Sequence, residues 1–397
     1  MFYEKQPQKQ KLNYKKMLSI IGNLTVLFSE SDCPYLPYRA HENIFCKYFY
    51  ADNLARTDCS ADARKDKIGI GLKTWMGQDD QKIAEFGKLR ETFKDLSGIE
   101  LVSKIAEYRN ERIRITKNLH GIDEMIYHIV KRIPGSMQIL EHAFDYIDID
   151  NIKVISNKGN INNTYFTDGK HSYHFSVSKN TLFMLFNDMI LLDSFDVEIM
   201  DDPYSYLMQL LDKKQAFDSI AEKDFTTKKI CLRLYSEKNG NKFVPEKSGL
   251  NQWNGVRTSN RTKKDGTIVH NVKKRDPNEL YIPYPAEDRN KTQGFFPDRN
   301  TIFELKLPDG KIMSAKVCQD DGKAIMSNPN NALGEWLLRN VFELPVGTVV
   351  TYEMLERFGI DSVVFTKHDT LKYSIDFSEI GTYENFNINK SSYNHFK

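Results

Sequence analysis

The segment from Ser248 to Arg339 limits the possible folds of this chain more than any other part of its sequence. It contains SGLNQWNGVR, then RDPNELYIPYP, GFFPDR and VCQDDGKAIMSNPNNALGEWLLR. Short apolar runs alternate here with Gly, Pro, Asn and Asp, the residues that end strands and form turns. Basic, amide and aromatic residues lie between the runs. The pattern predicts a domain of short strands with a surface suited to DNA.

Positive charge is concentrated in this part of the chain. The whole sequence has a formal net charge of +2, but Lys242 to Arg275 contains nine basic residues and two acidic ones. Such a local excess is the electrostatic footprint of phosphate binding. A solvated loop without a partner is the alternative, but Trp253, Asn254 and Asn278, which lie within or just beyond the run, favour a nucleic-acid surface.

Length and composition predict two soluble domains. The chain has 397 residues, 40% of them hydrophobic, which is more than one core usually holds. No apolar run is as long as a membrane span, and the amino terminus lacks the apolar core of a secretory signal. The five cysteines form no CxxC pair, so neither zinc nor a disulfide framework is indicated. We expect a cytoplasmic protein with reduced thiols.

Hydrophobic periodicity predicts different structure in the two halves. Apolar positions three or four apart predict helices in QKIAEFGKL, IELVSKIAEYRNERIRI and GIDEMIYHIVKRI, all between residues 81 and 150. The Asp168-Gly169 pair in NTYFTDGKHSYHFSV predicts a β-hairpin, and a helix over Ser178 to Phe186 should follow it. A polar, charged stretch then places a domain boundary near Thr226, giving domains 1–226 and 227–397.

The second half has the rhythm of a small β-barrel. It contains KICLRLYS, ELYIPYP, TIFELKLPDGKIMSAKV, VTYEMLERFG and SVVFTK. Short strands separated by Gly and Pro turns predict a mostly antiparallel barrel with one or two short helices.

This half also resembles a known family. SGLNQW, NELYIPYP, GFFP, the PDG turn, QDDGKAI and LGEWLLR occur in the order found in the carboxy-terminal DNA-recognition domain of NgoFVII-type and BfiI-type restriction endonucleases. The resemblance covers roughly residues 228 to 378. It implies a seven-stranded pseudobarrel, related to the DNA-binding fold of plant transcription factors and of the EcoRII effector domain. Two loops, an N-arm and a C-arm, would grip the major groove, here as Gln252 to Asn278 and Gln319 to Asn331.

The arms supply side chains that can read bases and bind phosphates. Arg and Asn contact guanine and adenine edges in pairs, and Lys fixes register on the backbone. The residues expected to bind DNA are Trp253, Asn254, Arg257, Arg261, Lys263, Lys264, Lys273, Lys274, Arg275, Asn278, Glu279, Gln319, Lys323, Asn328, Asn330 and Asn331. Trp253 is equally compatible with a core position, which we also expect for Trp336. Glu335 and Arg339 have the spacing of a helical ion pair.

In this family a recognition domain usually accompanies a cutting domain, and two kinds are known. A phospholipase-D-like nuclease needs a His-x-Lys pair, and the only one in the chain is His395-Phe396-Lys397. Its place at the extreme carboxy terminus, beyond the reading domain, argues against this kind.

The segment DCSADARKDKIGIGLKTW resembles the centre of the second kind, the PD-(D/E)xK nuclease core. That core holds Mg²⁺ with a carboxylate at the end of one strand and a carboxylate plus a lysine on the next. Asp62 and Lys73 match the first carboxylate and the lysine, with Asp58 as a fallback for Asp62. On the lysine's strand, Gly69 and Gly71 would leave room for a phosphodiester backbone.

One ligand of this pattern is missing, because Gly71 stands where the second carboxylate belongs. Glu85, on the predicted helix QKIAEF, is the first candidate to replace it, with Gln81 on the same face. Glu42, from the amphipathic segment YRAHENIFCKYF, is the alternative, contributed by the first helix of the core. The catalytic candidates are therefore Asp62, Lys73, Glu85 and Glu42, and the metal ligands Asp62 and Glu85.

Two other clusters could contact DNA. Arg109, Arg112 and Lys117 lie along a predicted helix, although a solvated helix face explains them more simply. Ser178, Lys179 and Asn180 stand at a predicted helix start, where backbone N–H groups favour phosphate, but Ser178 could equally be an N-cap.

Together these observations predict an α/β PD-(D/E)xK-like nuclease domain followed by a mostly-β DNA-binding pseudobarrel. The expected function is Mg²⁺-dependent type II restriction cleavage of double-stranded DNA. A homodimer is expected because cutting two strands commonly needs two active sites, and a cognate DNA methyltransferase is the expected genetic partner. The alternative is a non-cleaving, sequence-specific regulator. It would be favoured if Asp62, Glu85 and Lys73 lay more than roughly 10 Å apart, too far to share a metal site.

Overall fold

The computed structural model describes residues 1–54, 59–77, 80–155, 163–212, 229–262 and 268–386. The chain divides into two compact units. The first contains Met1–Ala55, Cys59–Lys117 and Ile122–Phe225, and the second contains Thr226–Lys397 together with Asn118–Gly121. No helix in these described ranges has the combination of length and apolarity that crossing a membrane requires.

The first unit is an α/β structure. Its elements, in chain order, are α1 (Gln8–Asn23), α2 (Tyr38–Phe49), β1 (Asp52–Asn53), β2 (Ala63–Lys65), β3 (Ile68–Trp75), β4 (Gln81–Glu85), α3 (Gly98–His120), β5 (Glu124–Ile133), β6 (Ser136–Ala143), β7 (Lys153–Ile155), β8 (Asn163–Thr167), β9 (Ser172–Ser176), β10 (Thr181–Leu185), β11 (Ile190–Asp196) and α4 (Pro203–Asp212).

A six-stranded mixed sheet organises this unit, in the order β1-β2-β3-β5-β6-β11. The first three strands form an antiparallel meander, and β5 runs parallel to β3. Helix α3 makes the connection that a parallel pair requires. Ile70 of β3 packs in the core with α1 and α2, whereas Tyr127 of β5 packs in the core with α3. The sheet is therefore covered on both faces.

A second, five-stranded antiparallel sheet lies on the α3 side, in the order β4-β10-β9-β8-β7. The predicted hairpin is confirmed as β8 and β9. Asp168 closes its turn by accepting hydrogen bonds from the backbone N–H groups of Lys170 (3.0 Å) and His171 (2.7 Å). Gly169 has a φ of +86°, a conformation that glycine adopts without strain.

Three of the four predicted helices of this half are wrong. QKIAEFGKL begins with β4, GIDEMIYHIVKRI contains β5, and Ser178 to Phe186 contains β10, whereas IELVSKIAEYRNERIRI is helical as predicted, within α3. Apolar residues spaced three or four apart also occur in strands that are buried on both faces. The β-branched and aromatic residues of MIYHIV fit such a strand better than a helix.

The second unit is mostly β. Its elements are β12 (Lys229–Arg233), β13 (Ser236–Lys238), β14 (Asn241–Phe243), β15 (Val256–Thr262), β16 (Ile268–Lys274), β17 (Ile282–Pro283), α5 (Ala286–Lys291), β18 (Ile302–Lys306), β19 (Ile312–Cys318), β20 (Ala324–Ser327), α6 (Ala332–Gly334), α7 (Tyr352–Phe358), β21 (Ile360–Asp369) and β22 (Lys372–Glu379). A π-helical segment, Glu335–Val341, continues α6.

Seven of these strands form a barrel-like sheet, in the order β12-β21-β22-β18-β19-β20-β17. All neighbours are antiparallel except β18 and β22. The two end strands, β12 and β17, approach each other, so the sheet is nearly closed. Aromatic rings fill its core, including Phe303 against Tyr373, with centroids 4.8 Å apart. The predicted small, mostly antiparallel barrel with short helices is confirmed.

Candidate nucleic-acid interface and candidate active site

The predicted N-arm, Gln252 to Asn278, is built around the two-stranded hairpin β15–β16. Arg257 lies directly opposite Lys273 in its register, and Val256 lies opposite Lys274. Like charges opposite each other destabilise a strand pair. A bound polyanion would therefore stabilise this hairpin, because it would neutralise the charges that repel each other. Lys263, Lys264 and the side chain of Arg261 lie outside the described residues.

The predicted C-arm, Gln319 to Asn331, contains a tight turn, the short buried strand β20 and the loop that follows it. Two side-chain hydrogen bonds join this arm to the N-arm. Gln319 Nε2 donates to Gln252 Oε1 (3.1 Å), and Asn331 Nδ2 donates to Asp276 Oδ2 (3.3 Å). The two arms are therefore held together before any partner binds.

A cleft of about 440 Å³ opens between the arms. It is lined by Gln252, Arg257, Arg275, Glu279, Asn300, Lys316, Cys318, Gln319, Asp320, Lys323, Met326 and Asn330. Six of these are predicted DNA-binding residues, and the arms contribute three of the other six. Asn300, Lys316 and Cys318 come from neither arm. Lys316 could have been identified from the alternation on β19, where it stands between the buried Ala315 and Val317.

Glu279 accepts hydrogen bonds from three side chains of this cleft. It is 1% exposed, and its carboxylate accepts hydrogen bonds from Gln252 Nε2 (2.7 Å) and Arg257 Nη2 (2.6 Å). Arg275 Nη1 also donates to it. A carboxylate covered by three donors does not reach a base edge. In this arrangement Glu279 contacts side chains of the cleft, and its predicted contact with DNA stays a prediction.

Asn278 and Asn331, also predicted to bind DNA, use their amide groups within the protein. The Asn278 Oδ1 atom accepts a hydrogen bond from Arg339 Nε (2.8 Å), and Asn331 bonds to Asp276 as described above. Arg339 further donates to the carbonyl oxygens of Pro277 (2.8 Å) and Leu344 (2.9 Å) rather than pairing with Glu335. These contacts fix the loop that ends the N-arm.

The remaining predicted positions are arranged as follows. Lys273, Lys274 and Lys323 are exposed, while Asn328 and Asn330 are partly buried. Asn254 donates to the Glu246 carbonyl oxygen (3.0 Å). Trp336 lies in the core as expected, with its indole N–H donating to Asp309 Oδ2 (3.0 Å). Trp253 is partly exposed, and its buried indole N–H has no hydrogen-bond partner among the described residues.

In the first unit, Asp62 and Lys73 come together at one edge of the meander. Asp62 immediately precedes β2, and its Oδ2 atom accepts a hydrogen bond from the Leu72 backbone N–H (2.7 Å), next to Lys73. Burial raises the pKa of Asp62, and the nearby Lys73 charge only partly opposes this. Burial also lowers the pKa of Lys73, with Asp62 acting in the opposite direction. Asp62 and Lys73 thus stabilise each other's charges in a partly desolvated environment.

Glu42, the alternative ligand, belongs to the same cluster. It lies on α2, is buried, and forms a 2.9 Å ion pair with Arg39. Burial and then repulsion from Asp62 raise the pKa of Glu42. Arg39 and Lys73 lower it, but by less. Glu42, Asp62 and Lys73 therefore lie within electrostatic range of one another, and we call them the acid–lysine cluster.

Glu85 is placed differently from the prediction. It ends strand β4 rather than lying on a helix, and it pairs with Lys82 at the surface, at 3.1 Å, with both side chains 59% exposed. Gln81 begins the same strand. The helical assignment that made Glu85 a candidate is wrong. Asp58, the fallback for Asp62, lies outside the described residues.

The space beside Gly71 is not open. A Cβ atom there would lie 2.8 Å from Tyr127 Cδ1 and 2.9 Å from Phe144 Cε1. The rings of Tyr127 and Phe144 stack with centroids 4.1 Å apart. A Cβ atom added at Gly69 would lie 3.0 Å from Ile122 Cδ1. The prediction that these glycines leave room for a phosphodiester backbone is wrong, because aromatic and aliphatic side chains fill the space.

Arg109 is also not on a solvated helix face. It is 3% exposed, donates to the Tyr127 hydroxyl from Nη2 (2.9 Å) and lies over the Phe144 ring. Its charge lowers the pKa of Lys73 further, after burial has done so. Sequence periodicity placed Arg109 on α3 but gave no sign that it faces the sheet.

Arg112 and Lys117 contact neighbouring groups of the first unit. Arg112 donates to the Glu85 carbonyl oxygen (2.8 Å), and the Lys117 ammonium lies over the Tyr146 ring. Ser178, Lys179 and Asn180 occupy the turn between β9 and β10 rather than a helix start. The predicted phosphate site at a helix N-terminus is therefore wrong.

The acid–lysine cluster contains two carboxylates, the type of ligand that a hard divalent cation prefers. Within the described residues no three His, Cys, Asp or Glu side chains are arranged to hold a metal. Mg²⁺, however, usually takes only one or two protein carboxylates and completes its shell with waters and substrate phosphates. Glu42 and Asp62 provide two, and their mutual repulsion raises the pKa of Glu42. A bound cation would relieve that repulsion.

Comparison with known proteins finds a similar domain in the second half of the chain. The family model described as the NgoFVII C-terminal B3-like DNA-binding domain matches residues 220–369. The match includes both arms and most of the seven-stranded sheet, so this region is similar to a DNA-binding domain of restriction-enzyme type. The family predicted for the carboxy-terminal half is confirmed. A search among functionally curated proteins found no match to the chain.

Proposed function

We propose that this protein is a type II restriction endonuclease, which reads double-stranded DNA with its second unit and hydrolyses it with its first. The proposal depends mainly on one observation. Glu42, Asp62 and Lys73 share a partly buried site in a chain whose other unit contains a region similar to a DNA-binding domain. Carboxylates beside a lysine of lowered pKa are a common arrangement for phosphodiester hydrolysis.

DNA reading is supported by the chemistry of the cleft between the arms. Arg, Gln and Asn side chains line it, and lysines of the N-arm hairpin are exposed. Arginine and amide side chains distinguish bases in the major groove, while lysines bind phosphates without regard to sequence. We expect Arg257, Gln319 and Asn330 to contact bases, and Lys273 and Lys274 to contact the backbone.

Cleavage is supported by the division of roles within the acid–lysine cluster. Glu42 and Asp62 would hold Mg²⁺, which supplies Lewis-acid activation of water and neutralises charge at the phosphate. Lys73 would orient the attacking water and offset the charge that develops on phosphorus-bound oxygens. Burial lowers the pKa of Lys73, and repulsion from Arg109, which Tyr127 holds in place, adds to this effect, so that proton exchange with water would be easier.

A non-cleaving DNA-binding regulator is the second candidate, and Gly71 is the observation that favours it. No carboxylate stands two positions before Lys73, where the PD-(D/E)xK pattern has one, because that residue is Gly71. In a regulator, the acid–lysine cluster would only stabilise the sheet edge.

A cleavage assay separates the two candidates. The purified full-length protein is incubated with a plasmid library in Mg²⁺ or in EDTA, and the cut ends are mapped. We expect cutting at one sequence in Mg²⁺ only. Lys73→Ala and Glu42→Gln should each lower the rate by at least about 100-fold, because the first removes the group that orients the attacking water and the second removes a ligand of the cation. Both variants should bind the same duplex with unchanged affinity.

Glu85→Gln is the matched control, because Glu85 pairs with Lys82 at the surface and should leave the rate unchanged. Cutting in EDTA, or a normal rate in Lys73→Ala, would contradict the proposed active site. Specific binding without any cutting would instead favour the regulator.

The proposal also includes two protein partners, a second copy of this chain and a DNA methyltransferase. A homodimer would present two acid–lysine clusters for the two strands, and sedimentation velocity with and without the target duplex tests this. A cognate DNA methyltransferase would protect the host, so target DNA methylated by that enzyme should resist cleavage.

A further inference from the structure

We infer that Glu279 is a positioning residue that orients Arg257 and Arg275 for hydrogen bonding to guanine. The DNA target should therefore contain a guanine that these arginines contact. The inference rests on the proposed DNA-reading function and adds a substrate preference to it. It begins from an almost fully buried carboxylate that contacts the two arginines of the cleft.

The geometry joins both arginines to one anchor. Arg257 comes from β15 and Arg275 directly follows β16, so they lie at the base of the N-arm hairpin. Each gives one terminal nitrogen to a different oxygen of Glu279, at 2.6 Å for Arg257. Their side chains remain 51% and 22% exposed. The carboxylate thus fixes one edge of each guanidinium, while part of each side chain faces the cleft.

A guanidinium held in this way suits guanine better than the other bases. Guanine presents two hydrogen-bond acceptors, O6 and N7, side by side in the major groove, and a planar fork of N–H donors matches them. Adenine offers one acceptor beside a donor, and cytosine offers a donor. Two fixed arginines therefore select guanine, and the selectivity depends on their orientation.

Glu279 also links the two arms. Gln252 donates to Glu279 from Nε2, and Gln252 Oε1 accepts the hydrogen bond from Gln319 of the C-arm. A chain of three side chains thus runs from the anchor to the opposite wall of the cleft. Without the negative charge of Glu279, Arg257 and Arg275 would repel each other and lose their common orientation.

The test is selection of bound duplexes from a randomised pool, carried out in EDTA with the full-length protein. The wild type should enrich a site with at least one fixed guanine. Glu279→Gln should lower the preference for that guanine by about tenfold or more, the discrimination expected of one bidentate arginine contact. Lys273→Ala is the matched control and should weaken binding equally for all sequences, because an exposed hairpin lysine contacts phosphate.

Arg257→Lys provides a second route if Glu279→Gln is found by circular dichroism to be unfolded. It keeps the charge and removes the fork, so the guanine preference should fall while binding to random DNA is retained. An enriched site without guanine would overturn the inference. An unchanged preference in folded Glu279→Gln or in Arg257→Lys would also overturn it, while leaving DNA reading intact. If the wild type enriches no sequence, the proposed function fails, and the inference fails with it.

Discussion

At the scale of single residues, one glycine explains why the acid–lysine cluster has its composition. Gly71 faces the stacked rings of Tyr127 and Phe144, and a Cβ atom there would be closer to them than real Cβ atoms come. A carboxylate could not stand at this position unless the rings moved. Glu42, an acidic residue of α2, shares the electrostatic environment of Asp62 and Lys73. In the proposed nuclease, Glu42 would replace the carboxylate that the stacked rings exclude from position 71.

The packing at Gly71 leads to a stability prediction. Gly71→Ala should destabilise the first unit by about 1–3 kcal/mol, the usual cost of inserting a methyl group into a filled core. Gly87→Ala is the control, because no atom lies within 4 Å of the added Cβ and its φ is not positive. Urea denaturation followed by circular dichroism measures both. Equal stabilities for the two variants would mean that the rings give way easily.

A second residue-scale feature is a buried hydrogen-bonded chain on the opposite face of the sheet. The Tyr14 hydroxyl contacts His41 Nε2 (2.8 Å) and His128 Nε2 (3.0 Å), and His128 Nδ1 lies 3.4 Å from Glu141 Oε1. Burial, and then the neighbouring His128, lower the pKa of His41 well below its usual value. Burial raises the pKa of Tyr14. His41 and Tyr14 are therefore neutral in the folded protein.

This chain predicts acid sensitivity. The folded state keeps His41 neutral, whereas in the unfolded chain His41 binds a proton below about pH 6.5. The unfolded state then holds more protons, so the stability of the first unit should fall as the pH drops below that value. The slope should be up to about 1.4 kcal/mol per pH unit. His41→Gln should reduce this slope. Denaturant titrations at pH 5 and pH 7 measure the difference, and equal slopes in the wild type and in His41→Gln would contradict the assignment.

At the scale of elements, the sequence predicted some parts of the fold well and others poorly for identifiable reasons. Helix α3 and the β8–β9 hairpin were found because their signals are local, a long amphipathic period and an Asp-Gly turn. Strand β5 was mistaken for a helix because it is buried on both faces, so its apolar residues do not alternate. Outside such hairpins, strand pairing depends on contacts between residues far apart in the chain, and no local pattern contains that information.

The same reasoning explains which site residues could be found. Asp62 and Lys73 belong to a short motif and were identified by spacing. Glu42 was only an alternative, because the folding of α2 against the sheet brings it to the cluster. The role of Glu279 could not be recognised from composition, since an acidic residue in a basic segment gives no sign of what it anchors.

One prediction belongs to the hairpin β15–β16 as an element. Its Lys273 and Lys274 are exposed on a strand whose partner carries another basic residue, Arg257. Each lysine that contacts a phosphate releases about one counterion, so Lys273→Ala and Lys274→Ala should each reduce the salt dependence of DNA binding by about one unit of slope. Lys238→Ala, on the separate hairpin β13–β14, should leave the slope unchanged. Fluorescence anisotropy over a range of salt concentrations measures these slopes, and equal slopes in all three variants would exclude the β15–β16 hairpin from the interface.

At the scale of the whole molecule, the proposed reading and cutting residues belong to different units of the chain. The cleft lies in the second unit, and the acid–lysine cluster lies in the first. Substitutions far apart and without shared partners usually act independently. Loss of cutting and loss of sequence preference should therefore be separable, which makes the two tests described above independent of each other. A family match confined to residues 220–369 is consistent with such a division, because it includes the reading residues and not the cluster.

The hydrogen bonds between the two arms have a consequence for how target preference can change. Gln252 with Gln319, and Asp276 with Asn331, are matched pairs with one member on each arm. A chimera that takes one arm from a relative and keeps the other would break both pairs at once and leave Glu279 without its link to the C-arm. The arms are therefore not interchangeable modules. A change of DNA target preference should therefore require exchange of the N-arm, the C-arm and Glu279 together.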